Sequence, residues 1–170
     1  MTETEGMTSK QKLAYYQDKL YQDAMNARSK GELVCWSSSI APSEFCEVMG
    51  IHMIYPENHA AAVGAKHGAL DMIEIAERKG YSLDICSYAR INLAYMDLLV
   101  EQAKTGVTPE ALENCPAPKI PLPDVIITCN NICNTLLKWY ENIAVELNIP
   151  YIIIDVPYVH TWPIPEYTKT

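Results

Sequence analysis

The chain has 170 residues, a formal net charge of −8 and an apolar content of 49%. This length is enough for one domain with a hydrophobic core. The acidic balance, without any dense Lys/Arg cluster, argues against nucleic acid or an anionic membrane as the main partner. The longest apolar runs are too short to span a bilayer, and the polar, acidic N-terminus does not resemble a secretory signal. Six cysteines in this context indicate a reducing compartment, so we expect a cytoplasmic protein with buried, catalytic or metal-bound thiols.

Residues 8–30 are predicted to form a helix. Its apolar residues recur at near-helical spacing, and Gly31 suits a helix stop. These apolar residues are Leu13, Tyr16, Leu20 and Met25. Polar side chains fill the other positions, so we interpret this segment as an amphipathic packing helix.

A first short strand is predicted over residues 32–36, and a serine triplet (residues 37–39) follows at its end. Pro42 then suits the first turn of a helix that runs to about Met49. Two interpretations of the serines stay open. They are loop and cap residues, or they bind a carbonyl or phosphate oxygen at the carboxyl end of the strand.

A second strand is predicted over residues 51–55, and it leads into Glu57 and His59 before an alanine-rich helix over residues 60–66. A carboxylate beside an imidazole can transfer protons if both face a cleft. The alternative is a helix cap with a surface histidine.

The middle of the chain is predicted to be helical, with helices over residues 69–79 and 91–103. Cys86 lies between them, at a predicted strand-to-helix junction. Residues 104–123 form a connector, because its closely spaced prolines at 116, 118, 121 and 123 can continue neither a helix nor a central strand. We interpret Cys115, within it, as incidental.

The stretch from Asp124 to Cys133 is the strongest site candidate. An apolar run ends in Cys129, and the next helix is predicted to start at about Asn130 and to run to about Leu147. Open α/β sheets bind ligands at the ends of their strands, and a helix N-terminus favours a thiolate. Cys129 is therefore a candidate metal ligand or reactive thiol, whereas Cys133, one turn later, is either a second ligand or a packing residue.

Residues 151–157 are predicted to form another buried strand. A strand, a helix and an apolar strand in succession predict a right-handed crossover and a parallel sheet. The fold class is therefore α/β, a Rossmann-like or flavodoxin-like parallel sheet flanked by helices. No glycine-rich phosphate motif, His-Glu-x-x-His motif or paired Cys-x-x-Cys motif is present.

Seven short segments together resemble a known family. They are CWSSS (35–39), YPENHAA (55–61), DICSYAR (84–90), PD (123–124), CNNICN (129–134), KWYE (138–141) and IDVPY (154–158). In this order they are similar to the 2-hydroxyglutaryl-CoA dehydratase and benzoyl-CoA reductase family, and within it to the α subunits of the dehydratases.

The resemblance implies an oxygen-sensitive [4Fe-4S] cluster that cysteines bind, with one iron left open. It also implies a homologous second subunit and an ATP-dependent iron–sulfur activator protein that injects one electron. In the dehydratases this electron converts the thioester carbonyl of an (R)-2-hydroxyacyl-CoA into a ketyl radical, and water is then lost. The substrate that the resemblance implies is 2-hydroxyglutaryl-CoA. The sequence carries no indication for or against a flavin.

Residue by residue, the resemblance makes Cys86 and Cys129 the metal ligands, with Cys133 matching a family cysteine of less certain role. Ser37, Ser38 and Ser39 match a substrate-facing segment. We expect Ser39 and Glu57 to orient the thioester or to handle the proton. His59 is a further candidate for substrate binding.

The predicted organisation is an N-terminal helix (1–30), a cluster- and substrate-binding α/β domain (31–158) and an extended tail (159–170). Family subunits are longer and supply a further cysteine from a later domain, so we expect this chain to be incomplete by itself. Two alternatives stay open. One is a benzoyl-CoA reductase subunit, which reduces an aromatic ring with ATP, and the other is a metal-free domain that binds CoA or a partner.

Overall fold

The computed structural model describes residues 3–157, so the predicted tail of residues 159–170 lies outside the described part. The described residues form four strands and seven α-helices, with one short 3₁₀ helix after the first α-helix. In chain order they are α1 (Ser9–Ala27), β1 (Val34–Ser37), α2 (Glu44–Met49), β2 (His52–Ile54), α3 (Pro56–Ala65), α4 (Ala69–Arg78), α5 (Ser87–Thr105), α6 (Glu110–Glu113), β3 (Val125–Cys129), α7 (Asn134–Leu147) and β4 (Tyr151–Ile154).

The four strands form one parallel sheet in the order β2-β1-β3-β4. Cys35 of β1 pairs with Met53 on one side and with Val125 on the other, so β1 lies in the interior of the sheet. Helices connect the strands, as parallel pairing requires. The predicted α/β fold with a parallel sheet is confirmed.

Helix α5 is the centre of the helical layer. Residues 91–98 are all buried, which is typical of a helix with neighbours on every side. Two of these residues are polar, and each is satisfied in part: Asn92 accepts a hydrogen bond from the Trp139 indole at 2.9 Å while its amide nitrogen has no partner among the described residues, and Asp97 forms an ion pair with Lys79 at 3.3 Å. Polar partners of this kind offset the cost of burying an amide and a carboxylate.

Helix α1 begins within one residue of its prediction and ends at Ala27, three residues before the predicted end, with the 3₁₀ helix completing the stretch up to Gly31; its apolar face does not pack as predicted. Leu13 is 73% exposed, and Tyr16, Leu20 and Met25 are exposed too. The buried residues of the helix are Tyr21, Ala24 and Ala27, in its last two turns. Apolar periodicity predicts that a helix has a face to cover, but not which surface covers it.

Strand β4 also differs from its prediction. A continuous apolar run predicts a strand that is buried on both faces. Ile152 and Ile153 are instead 48% and 49% exposed. The reason is that β4 is an edge strand of the described sheet, with one neighbouring strand rather than two.

The proline-rich connector is anchored through its carbonyl groups. The Trp36 indole donates to the Pro121 carbonyl at 3.0 Å, and the His59 imidazole bonds to the Pro118 carbonyl at 2.9 Å. At its end, the Asp124 carboxylate accepts from the Val34 backbone N–H at 2.8 Å. These hydrogen bonds fix the connector against β1 and α3, so that β3, which follows the connector, pairs with β1.

None of the helices in the described part of the chain combines the length and hydrophobicity needed to cross a membrane.

Candidate functional site

The carboxyl ends of the parallel strands meet at one edge of the sheet, which places three predicted site segments together. Ser37 ends β1 and the other two serines follow it, Glu57 follows β2, and Cys129 ends β3. We call this region the sheet edge.

The three serines have different surroundings. Ser37 and Ser38 are buried, and the Ser38 hydroxyl lies 3.9 Å from the Cys129 sulfur. Ser39 is exposed, and its backbone N–H donates to the Glu57 carboxylate at 2.7 Å. Of the triplet, therefore, only Ser39 is open to a molecule from solution.

Glu57 lies in the first turn of α3 rather than in a loop before the helix. A carboxylate is stabilised at this position because the first turn has unpaired backbone N–H groups. By accepting from Ser39, the carboxylate also connects α3 with the loop after β1. The structure thus brings Ser39 and Glu57 into contact, although through a backbone group of the serine.

Tyr140 of α7 forms a hydrogen bond to the end of β1. This residue was not identified from the sequence alone. Its hydroxyl donates to the Ser37 carbonyl at 3.1 Å. Burial raises the pKa of Tyr140, and the negative charge of Glu57 adds to the effect, so the phenol stays protonated and remains a donor. The segment KWYE contains this residue, but it entered the sequence analysis only through the family resemblance, without a role for the tyrosine.

The imidazole of His59 does not join the sheet edge. It is fully buried, bonds to the Pro118 carbonyl, and lies edge-on against Tyr95 at a ring distance of 4.6 Å. Burial lowers the pKa of His59 to about 4, so the ring is neutral at pH 7. The expectation that His59 faces substrate is therefore not supported by its position, because helix α3 directs it into the core instead.

Cys129 is the last residue of β3, and its side chain is fully buried. Helix α7 begins at Asn134, later than the predicted start near Asn130. The expectation that Cys129 lies at a helix N-terminus is therefore wrong. The N-cap residue is Cys133, which is exposed.

Cys86 is also an exposed N-cap residue, here of helix α5. In the described chain the residues just before it form turns and not a strand, so the predicted strand-to-helix junction is correct only in its helix. The two exposed cysteines thus occupy the same kind of position on two helices that contact each other.

A groove of about 400 Å³ separates the N-terminal halves of α5 and α7. Ile85, next to Cys86 in sequence, and Asn134, next to Cys133, both line it, whereas the two cysteines themselves are not among its lining residues. The complete lining consists of Tyr81, Ile85, Ala89, Leu93, Asn134, Thr135, Lys138, Trp139 and Asn142. Its floor is mainly apolar, with asparagine and lysine side chains on the α7 side.

The remaining cysteines are less suited to bind a metal. Cys35 and Cys46 are buried in a small apolar cluster with Met53 and Ile127, and Cys115 is half-buried. Burial raises the pKa of Cys35, Cys46 and Cys115, which disfavours the thiolate that metal binding requires.

The donor set fits an iron–sulfur cluster only in part. Thiolates are the usual ligands of such clusters, and Cys86 and Cys133 are exposed thiols at helix N-termini. Within residues 3–157, however, no three His, Cys, Asp or Glu side chains are arranged to hold a metal ion. The described residues therefore contain exposed thiols of the right kind but no complete metal site.

Sequence comparison is informative at this point. Residues 38–169 match the family described as 2-hydroxyglutaryl-CoA dehydratase, D-component. The chain belongs to this family. The resemblance inferred from the seven segments is thereby confirmed.

Three relatives indicate where in the family the chain lies. It is 64% identical over 169 residues to the lactoyl-CoA dehydratase subunit alpha of Anaerotignum propionicum, which covers 99% of this chain and 40% of the relative. It is 46% identical to the (R)-2-hydroxyisocaproyl-CoA dehydratase alpha subunit of Clostridioides difficile, over 81% of this chain and 30% of the relative. Its identity to the (R)-2-hydroxyglutaryl-CoA dehydratase subunit alpha of Acidaminococcus fermentans is 34%, over 83% of this chain and 42% of the relative. The chain thus spans less than half the length of each of these relatives.

Proposed function

We propose that this chain is part of the α subunit of an (R)-2-hydroxyacyl-CoA dehydratase, and that it contributes cysteine ligands to a [4Fe-4S] cluster. The observation that carries the proposal is the pair of exposed N-cap cysteines, Cys86 and Cys133, on two helices that contact each other in a chain of this family. When bound, such a cluster supplies a single electron to the thioester carbonyl of the substrate.

The preferred substrate is a short 2-hydroxyacyl-CoA of the lactoyl type. The chain is 64% identical to a lactoyl-CoA dehydratase subunit and 34% identical to a 2-hydroxyglutaryl-CoA dehydratase subunit. We therefore favour lactoyl-CoA over the 2-hydroxyglutaryl-CoA that the sequence segments alone suggested.

Cys86 and Cys133 are the proposed ligands from this chain. Cys129, which the resemblance favoured, has its sulfur buried against the Ser38 hydroxyl. A buried thiol would have to leave that contact to reach a metal, whereas both N-cap thiols are already exposed. The helix N-terminus next to each of them favours negative charge, which is the charge of a thiolate and of a cluster.

Ser39 and Glu57 are the proposed substrate-facing pair at the sheet edge. The Glu57 carboxylate orients the loop that carries Ser39, and the exposed serine hydroxyl is free to bind an acyl thioester oxygen. A carboxylate at the same place can accept the proton that leaves carbon 3 of the acyl chain. Ser37, Ser38 and His59 are buried, and in this proposal they have structural roles rather than contacts with the substrate.

The proposed partners are a homologous second subunit, an ATP-dependent iron–sulfur activator and the acyl-CoA substrate. The relatives are named as subunits, which supports a multi-subunit enzyme. Because the described part of this chain holds fewer than three ligands in one place, the proposal also requires further ligands from elsewhere.

Anaerobic reconstitution of the complete α subunit that contains this chain, with iron and sulfide, tests the proposal. Wild type, Cys86→Ser, Cys133→Ser and Cys129→Ser are compared by bound iron, by acid-labile sulfide and by the visible spectrum before and after air. We expect each N-cap variant to lose at least half of the bound iron, because each removes a ligand from an incomplete set. Cys129→Ser is the matched control, and we expect it to retain the iron.

Two results would contradict the proposal. Loss of iron in Cys129→Ser alone would restore Cys129 as the ligand and remove Cys133. Equal, negligible iron in all four proteins, together with binding of a CoA thioester, would favour the metal-free CoA-binding alternative.

A further inference from the structure

Asn130 links the end of β3 to the chain that follows β4. Its backbone N–H donates to the Ile154 carbonyl at 3.2 Å, which extends the pairing of the two strands by one residue. Its side-chain oxygen accepts from the Val156 backbone N–H at 2.8 Å. Its side-chain amide donates to the Asp155 carboxylate. One residue thus makes three hydrogen bonds to a neighbouring segment, and we call these contacts the Asn130 clamp.

The clamp lies at one end of the turn that presents Cys133. Residues 130–132 bend away from the sheet, and Cys133 then caps α7, where its carbonyl accepts from the Leu136 N–H at 3.0 Å. The turn is therefore held by the clamp on its strand side and by the first helical turn on its other side. With both ends fixed, few backbone conformations connect them.

The neighbouring asparagine provides a contrast. Asn131 is exposed, and its side chain makes no hydrogen bond within the described residues. The two asparagines have the same chemistry and adjacent positions, but only Asn130 connects two segments of the fold. A bond between an amide and a carboxylate is also stronger than one between neutral groups.

We propose that Asn130 is a positioning residue for the cysteine site: its clamp to Asp155 and Val156 fixes the turn that leads to Cys133, the exposed N-cap residue of α7. This inference rests on the proposed function for its consequence in the enzyme, but the positioning itself can be measured on the metal-free chain.

The test uses four variants of the whole chain. Asn130→Ala removes the side-chain bonds, and Asn131→Ala is the matched control. Asn130→Asp places two carboxylates together. The double variant Asn130→Asp with Asp155→Asn restores the pairing with donor and acceptor exchanged, because the carboxylate now at position 130 can accept from both the amide now at position 155 and the Val156 N–H.

Amide hydrogen exchange of the metal-free proteins is the first readout. We expect exchange in the peptide covering residues 130–136 to be on the order of fivefold faster in Asn130→Ala and Asn130→Asp, the change that loss of about one net hydrogen bond produces. Asn131→Ala and the double variant should match wild type. Unchanged exchange in Asn130→Ala would overturn the inference, whether or not the wild-type chain binds iron.

Retention of iron against a chelator is the second readout, and it separates positioning from a general loss of stability. After reconstitution, both single Asn130 variants should lose iron severalfold faster although their thermal midpoint falls by no more than about 2–4 °C, and the double variant should recover the wild-type rate. Faster loss that tracks a lowered midpoint, without recovery in the double variant, would reduce Asn130 to a structural residue. Absence of iron in wild type would instead contradict the proposed function and leave the exchange result to decide the positioning.

Discussion

Replacement of Asp124 by alanine is a direct test of how the sheet is held together. This carboxylate accepts from the Val34 backbone N–H at 2.8 Å and lies 3.2 Å from the Arg28 guanidinium. Val34 is fully buried, so without the Asp124 carboxylate its N–H has neither that acceptor nor the water that it binds in the unfolded chain. A buried donor left without a partner costs about 1–3 kcal/mol.

The ion pair adds little to this cost. The Arg28 side chain is 58% exposed, and exposed ion pairs contribute roughly 0–1 kcal/mol. We therefore expect Asp124→Ala to lower the free energy of unfolding by about 2–3 kcal/mol. Asp124→Asn retains an oxygen that can accept from Val34, so it should cost about 1 kcal/mol or less, as should Arg28→Ala.

Equilibrium unfolding in urea measures these differences, with an unchanged dependence on urea as the sign that the unfolded state is the same. An Asp124→Ala variant within about 0.5 kcal/mol of wild type would refute the importance of the buried hydrogen bond. An Arg28→Ala variant as unstable as Asp124→Ala would also refute it, because the exposed ion pair would then be the dominant contribution.

Two further predictions concern stability. The pKa of His59 is lowered from 6.5 to about 4, so below pH 6.5 the unfolded chain binds a proton that the folded chain does not. Stability should therefore fall by about 3 kcal/mol as the pH drops from 6.5 to 4, and His59→Phe should lack this part of the pH dependence in urea titrations at several pH values. Gly68→Ala should destabilise by about 1–3 kcal/mol, because its Cβ would lie 2.6 Å from the Pro116 ring. Gly64→Ala, a helical site with open space, should be neutral or stabilising by up to about 1 kcal/mol, and equal thermal midpoints for both glycine variants would contradict this explanation.

Local sequence rules predicted β3 and the end of α7 correctly. An apolar run bounded by Asp124 and two asparagines indicated a strand, and the structure has it over Val125–Cys129. The start of α7 was predicted too early because Asn130 is held by the chain after β4. Such a contact joins distant parts of the sequence, so no local propensity contains it.

The assignment of the cysteines shows a similar limit. The motif CNNICN indicated a thiol site, but the direction of a side chain at the end of a strand depends on what packs against it. Cys129 faces the buried Ser38 hydroxyl, and that leaves Cys133 as the exposed thiol. Cys86 was recognised by its motif, and its place at a helix N-terminus was predicted correctly although no strand precedes it.

The exposed faces of α1 and β4 have the same explanation. Composition predicts that Leu13 and Ile152 prefer burial, but covering them requires a second surface, and that surface is not specified by the periodicity of either element. The sequence therefore predicted the elements better than their environments.

The strand order has a consequence for the newly synthesised chain. On one side, Val34 of β1 pairs with His52, which is close in sequence. On the other side, Cys35 pairs with Val125, which is synthesised much later, so the second edge of β1 gains its partner strand long after the first. At about 5–20 residues per second, translation takes roughly 5 to 18 seconds to deliver β3 after β1. During that interval the nascent chain presents an apolar strand with an open edge, which is the kind of surface that associates with other chains. The rate of translation thus sets how long this edge of β1 stays unpaired. Chaperones that bind strand edges can act on the nascent chain during this interval, before residue 125 emerges.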